Sequence, residues 1–225
     1  MAHSSVKVLI GISTAEIARQ AIFYDHIDLL GKPDNTLITR CHGQSPAAAR
    51  NLIIKQALKN ECTHVLFLDD DVVLRPDTLY RLLNHQVSII SGLYLMRNNP
   101  HLPICFATAD ENGWCTHKRL KNSELGMQEV VAAGLGCLLI ETKVFEAMKF
   151  PWITMGELDP ENWCDDLSFC MRARKAGFRI HVDLNIPVGH MATVTIWPNR
   201  IRDEWHVTYD TAGTNVASFP MVVDE

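Results

Sequence analysis

The stretch HVLFLDDDVVLRP, residues 64–76, sets three consecutive carboxylates, Asp69, Asp70 and Asp71, directly behind the apolar run Val65 to Leu68. A second acidic pair, Asp165 and Asp166, opens a helical pattern, and His190 follows the glycine of PVGH. Carboxylates this close repel one another, so a cation, a substrate or bulk water must absorb their field. Two or three carboxylates with one imidazole suit Mg2+ or Mn2+, leaving the other coordination positions to water and phosphate oxygens. Each group also has a plain structural use. The triplet could be a solvated turn, Asp165 or Asp166 an N-cap, and His190 an ordinary surface or core histidine.

The elements around these residues decide whether they meet. VKVLIGI (6–12) and NTLITRCH (35–42) read as strands, with the helical AEIARQAIFYDHI between them. SPAAARNLIIKQALKN predicts a helix with Ser45 as N-cap, Pro46 at its first position and Leu52, Ile53, Ala57 and Leu58 at helical spacing. The acidic strand follows, then the helix PDTLYRLLNH with Leu79, Leu82 and Leu83 on one face, then the strand VSIISGLYL. This βαβ series predicts a mainly parallel sheet whose strands end on one edge, where ligands of open α/β sheets bind. The second half reads differently. PICFATAD and MQEVVAAG suggest short antiparallel strands, and GCLLIETKVFEAM a strand and a short helix. WCDDLSFCMRARKAGF predicts a helix ending at Gly177, and RIHVDLNI a last strand leading to His190. From Thr193 onward the chain is polar and aromatic with little periodicity.

Composition excludes several classes. The 225 residues are 47% hydrophobic and 21% charged, which is ordinary globular usage. The seven cysteines form no CxxC pair, which argues against a zinc site or a disulfide framework and for a reducing, cytoplasmic setting. No signal-peptide pattern and no uncharged run of roughly 18 residues is present, so a protein without a transmembrane segment is expected. Net charge is −5, and KRLK at 118–121 is the one basic block, so a broad nucleic-acid surface is not indicated.

SPAAARN, FLDDD, PDTLYRLL, SGLY, GLGCLLIETKVFEAM, DDLSFCMRARKAGF and the closing GH together resemble the GT-A glycosyltransferases, specifically the family 2 type of bacteria and phages. The resemblance spans most of residues 6–191. It implies a GT-A, Rossmann-like α/β domain over 1–192, with a nucleotide-binding half (1–98) and an acceptor and catalytic half (99–192), followed by a C-terminal tail (193–225). FLDDD stands where that family has its DxD motif, whose carboxylates hold a divalent cation against a nucleotide-sugar diphosphate. The resemblance therefore implies Asp69, Asp70, Arg50, Ser13 and Thr14 at the donor and Asp71, Asp69 and His190 at Mn2+ or Mg2+. Gly134, Gly136, Trp163 and Tyr94 fall toward the acceptor and sugar. The family's acidic pair is usually Glu-Asp; here it is Asp165-Asp166, with a shorter first side chain.

Physical reasoning gives compatible roles. A sugar leaves its nucleoside diphosphate when the charge developing on the phosphates is stabilised, which a cation held by Asp71 and His190 can do. Asp166, at a helix N-terminus that favours its ionised form, is the candidate general base, with Asp165 beside it. Trp197, Arg200, Arg202 and Trp205 in the tail have the chemistry of a lid, since arginine pairs with diphosphate and indole lies on a sugar face. The bland reading of the same segment is a docked arm. The expected donor is a UDP- or GDP-sugar, and the acceptor is open among a glycan, a metabolite, a protein and a modified nucleic-acid base. FLDDDVV also fits a haloacid dehalogenase-type phosphatase with Asp69 as nucleophile, Ser91 and Lys143. Against it, the second acidic pair leads into a helix and His190 has no task. A nucleotidyltransferase shares the metal-carboxylate logic, and a non-catalytic carbohydrate-binding or scaffold protein would leave Asp166 dispensable.

Overall fold

The apolar run before the aspartates is a strand covered on both faces, with Val65 and Phe67 entering one apolar layer and Leu66 and Leu68 the other. The computed structural model describes residues 5–14, 21–97, 100–109, 115–155, 164–202, 204–211 and 214–220. The chain runs β1 (Val8–Thr14), α1 (Ala21–Leu29), β2 (Leu37–His42), α2 (Pro46–Lys59), β3 (His64–Asp69), β4 (Val72–Val73), α3 (Thr78–Asn84) and β5 (Ile89–Leu93). It continues through β6 (Cys105–Ala109), β7 (Cys115–His117), β8 (Met127–Val130), β9 (Ala132–Ala133), β10 (Cys137–Glu141), α4 (Thr142–Glu146), α5 (Asp165–Lys175), β11 (Ile180–Pro187) and β12 (Gly189–His190). Three strands close it: β13 (Thr195–Ile201), β14 (Glu204–Thr211) and β15 (Thr214–Pro220).

The central sheet has seven strands in the order β2-β1-β3-β10-β5-β11-β8. The β1–β2, β1–β3 and β5–β11 pairs are parallel, while β10 runs antiparallel between β3 and β5 and β8 antiparallel to β11. One layer of core joins the sheet to α2, α4 and α5 through Ile53, Ile54, Ala57, Val144, Phe145 and Phe169; the other joins it to α1 and α3 through Phe23, Ile27, Leu79, Leu82 and Leu83. Each of the larger side chains, taken fully out of water, contributes on the order of 2 kcal/mol. Phe145 anchors the first layer, its ring 6.5 Å from that of Phe67 and 6.0 Å from that of Phe169.

Two expectations need correction, and a third falls partly outside the described residues. The buried face of α2 is Ile53, Ile54 and Ala57, while Leu52 is 43% exposed, so the face is rotated from the one read off the sequence. The helix beginning AEIARQ is described only from Ala21, its first residues lying outside the described set. RIHVDLNI is not the last strand, because β13, β14 and β15 form a separate three-stranded antiparallel sheet. Its alternation places Ile196, Tyr209 and Ala217 across from one another, with Pro198, Val207 and Phe219 next on the same face. Pro198 inside β13 masks that signal, since proline argues against a strand. The predicted end of α5 at Gly177 is met: Gly177 has φ of +91°, its N–H donates to Arg174 O, and Phe178 N–H donates to Ala173 O, closing the helix as a Schellman motif.

Candidate active site

Parallel pairing of β1 and β3 sets Ser13 beside Asp69 at the carboxyl edge of the sheet. A cleft of about 450 Å³ opens there, lined by Ser13, Thr14, Gln44, Pro46, Arg50, Asp69, Asp70, Asp71, Asp165 and Asp166. The start of α2 forms one wall. Ser45 Oγ accepts the Ala48 N–H at 3.4 Å and Pro46 begins the helix, which puts Arg50 about one turn in and facing the acids.

Arg50 binds one end of the cleft together. Its Nη2 donates to Asp69 Oδ1 at 2.7 Å and its Nη1 to Asp165 Oδ2 at 2.5 Å, with Asp166 Oδ1 3.6 Å from the same Nη1. Burial works against the guanidinium's charge, but the fields of Asp69, Asp166 and Asp165 outweigh it and hold its pKa above the usual range. Burial also pushes Asp69 up, in spite of Arg50. For Asp166 burial is again the largest cause, Arg50 opposes it, and Asp165 and Asp69 add to it, raising the carboxyl to about 7; the ionised form is thus disfavoured, contrary to the expectation from its place at a helix N-terminus. Neither acid of the pair is a helix cap. The N-cap is Cys164, which makes no side-chain capping bond, and Asp165 and Asp166 form the first turn beyond it.

The other end is organised around Asp71. Antiparallel pairing of β12 with β4 sets His190 opposite Val72, and Met191 N–H donates to the Asp71 carbonyl at 2.7 Å. His190 Nδ1 lies 2.8 Å from the Leu95 carbonyl, which can only accept, so Nδ1 carries a proton and Nε2 turns toward Asp71 Oδ1 at 3.5 Å. Burial would lower the imidazole pKa; the bonds to Asp71 and to Leu95 O prevail and raise it. Asp71 Oδ2 is taken by Arg97 Nη1 at 2.8 Å. Among the described residues no group of three or more His, Cys, Asp and Glu side chains gathers as a metal site. Asp69, expected as a further ligand, is paired with Arg50. What remains, Asp71 with an imidazole whose second nitrogen is fixed by a backbone carbonyl, fits a Mg2+ or Mn2+ ion that takes few protein ligands and completes its shell with water and phosphate.

The residues assigned to the sugar and acceptor lie elsewhere. Tyr94 is buried beneath the acids, its hydroxyl accepting the Gly136 N–H at 3.0 Å and its ring edge-on to His190 at 5.7 Å. Gly136 is buried too, and its carbonyl accepts the Asp69 N–H at 3.1 Å. A Cβ on Gly136 would stand 3.0 Å from both Asp69 Oδ2 and Tyr94 Oη, and one on Gly134 would overlap that hydroxyl. Both glycines thus admit the tyrosine under the aspartates. Trp163 lies outside the described residues, as do the side chains of Arg200 and Trp205. Trp197 is half-exposed on β13, and Arg202 sits at the turn between β13 and β14 with φ of +51°. Sequence reasoning missed Gln44 and Arg97. Arg97 had a readable signal, because it follows the strand SGLYL, which ends on the same edge as Asp69.

Residues 12–200, most of the chain, match glycosyltransferase like family 2. The chain belongs to that family. Glycosyl transfer from a nucleotide-sugar donor to an acceptor is the activity of family 2 glycosyltransferases, and their use of divalent metals is general. Membership sets aside the phosphatase and nucleotidyltransferase readings. No curated protein sequence matches this glycosyltransferase. Its fold is similar to the crystal structure of A197 from STIV, with a TM-score of 0.56 at 16% identity over 90% of this chain and 89% of that one. The mixed, mostly parallel seven-stranded sheet is the GT-A arrangement expected. Among the described residues no helix is long and apolar enough to cross a membrane.

Proposed function

We propose that this glycosyltransferase is metal-dependent and inverting, moving a hexosyl or pentosyl group from a UDP- or GDP-sugar to an acceptor hydroxyl with Asp166 as general base. The observation that carries the reading is the division of one cleft: Asp71, with His190 Nε2 3.5 Å behind its carboxylate, lines one end, and Asp166, its carboxyl raised to about 7, lines the other. A base with a pKa near neutrality both accepts a proton readily and is ionised often enough to do so. Asp71 and His190 would hold Mn2+ or Mg2+, which when bound supplies charge stabilisation to the departing diphosphate. Arg50 fixes Asp69 and Asp165 in place and keeps Asp166 next to a positive charge. His190 keeps its coordinating nitrogen toward Asp71 through Leu95. Residues 1–192 are then the catalytic domain and 193–225 an appended unit, whose sheet serves as a lid on the donor or as a docking arm.

Calorimetry with UDP and GDP tests the reading. Binding of one of them should require Mn2+ or Mg2+ and weaken strongly in Asp71→Ala; undiminished binding in excess EDTA would remove the metal. The lid has its own test. Tryptic cleavage after Arg200 or Arg202 should slow with Mn2+ plus the bound nucleotide, and an unchanged rate would favour a static arm.

A further inference from the structure

Arg97 stands outside every role assigned so far, yet it makes the closest described contact to the Asp71 carboxylate. Its Nη1 is 2.8 Å from Asp71 Oδ2, while His190 Nε2 approaches the other oxygen at 3.5 Å. The two partners differ in freedom. His190 is tethered at its far nitrogen to Leu95, whereas the Arg97 side chain is 49% exposed. The backbone beneath Arg97 is pinned, because Leu95 bridges to Pro103, Met96 N–H donates to Leu102 O at 2.8 Å, and the Leu95 carbonyl holds His190. Its long side chain carries the guanidinium out from that anchored stretch.

We propose that Arg97 is a resident counter-ion of Asp71 that competes with the divalent cation for the carboxylate and transfers its guanidinium to the donor diphosphate once the cation binds. The proposal rests on the metal-dependent reading above. Its physical basis is that a divalent cation on Asp71 and a guanidinium 2.8 Å from the same carboxylate would repel strongly at such range. The displaced guanidinium finds its best partner in the anion that accompanies the cation, since its planar fork matches phosphate oxygens. Before loading, Arg97 lessens the mutual repulsion of the five cleft carboxylates, Asp69, Asp70, Asp71, Asp165 and Asp166. After loading it favours a diphosphate over a monophosphate. Arg97 thus contacts Asp71 before loading and the donor after it, so its effect on bare metal and on nucleotide should have opposite signs.

Two titrations read those signs. Mn2+ alone, followed by the loss of its free paramagnetic signal, should bind the nucleotide-free Arg97→Gln chain about fivefold more tightly than wild type, the scale of a partly exposed ion pair. In saturating Mn2+, UDP or GDP, whichever wild type binds, should bind Arg97→Gln about tenfold more weakly. Arg97→Lys, which keeps the charge and loses the fork, should match wild type for Mn2+ and still bind the nucleotide more weakly. Asp71→Asn separates the two ideas. If Mn2+ binding depends on Asp71 but is equal or weaker in Arg97→Gln, the competition is refuted and the metal reading survives. If neither wild type nor Arg97→Gln binds Mn2+ through Asp71, both fall. Unchanged nucleotide affinity in Arg97→Gln overturns the transfer to diphosphate.

Discussion

The two ends of the acidic cleft solve the same electrostatic problem with different degrees of permanence. At the Arg50 end, a guanidinium only 6% exposed is shared among Asp69, Asp165 and Asp166, so its charge is bound into the protein interior. At the Asp71 end the counter-charge comes from a half-exposed arginine and a tethered histidine. A buried ion pair is costly to break because the remaining charge cannot recover water, whereas an exposed pair is cheap to exchange. The first arrangement is suited to holding geometry and the second to admitting a cation and a diphosphate.

The sharpest way to break this comparison is Arg50→Ala. Leaving three carboxylates without their shared cation should destabilise the fold by about 3 kcal/mol or more in chemical denaturation, and a loss comparable to that of a surface arginine would show the cluster to be better solvated than its burial indicates. Asp166→Asn comes next. Nucleotide affinity should persist while nucleoside diphosphate release on acceptor addition falls about a hundredfold. A wild-type rate would remove Asp166 as the base.

The pH profile sharpens the same end. The folded protein holds the Asp166 carboxyl near about 7, above the ordinary carboxylate range, so the proton is retained below that pH and the basic form grows as pH rises through it. Transfer at saturating donor and metal should increase about tenfold from pH 6 to pH 8 and lose that slope in Asp166→Asn. A smaller effect is expected beneath the cleft. Gly136→Ala forces a Cβ against Asp69 Oδ2 and Tyr94 Oη, at a cost of about 1–3 kcal/mol that thermal melting will register. The smallest effect belongs to Arg97→Ala, which should alter stability by less than about 1 kcal/mol, in contrast with Arg50→Ala. Equal losses in the two variants would erase the distinction drawn between the ends.

Much of this molecule is written in short-range pattern. The apolar run Val65 to Leu68 fixed a buried strand, Ser45 and Pro46 fixed the start of α2, and Gly177 fixed the end of α5, because alternation, capping and left-handed glycine act within a few residues. The carboxyl-edge rule places Asp69 to Asp71 at the tip of β3, while Asp165 and Asp166 reach them from the first turn of α5, held there by Arg50. Direction is also where the sequence fell silent. Nothing in CLLIE distinguishes a parallel strand from the antiparallel β10 that lies between β3 and β5, as a run buried on both faces carries no arrow. The sharing of Arg50 among three acids from β3 and α5, the aim of His190 Nε2 at Asp71, and the contact of Arg97 with that same carboxylate join residues 19 to 119 positions apart. Side-chain types announce which partners are chemically suitable, but the choice among them is made by distance and burial, and those exist only once the sheet has closed its edge around the cleft.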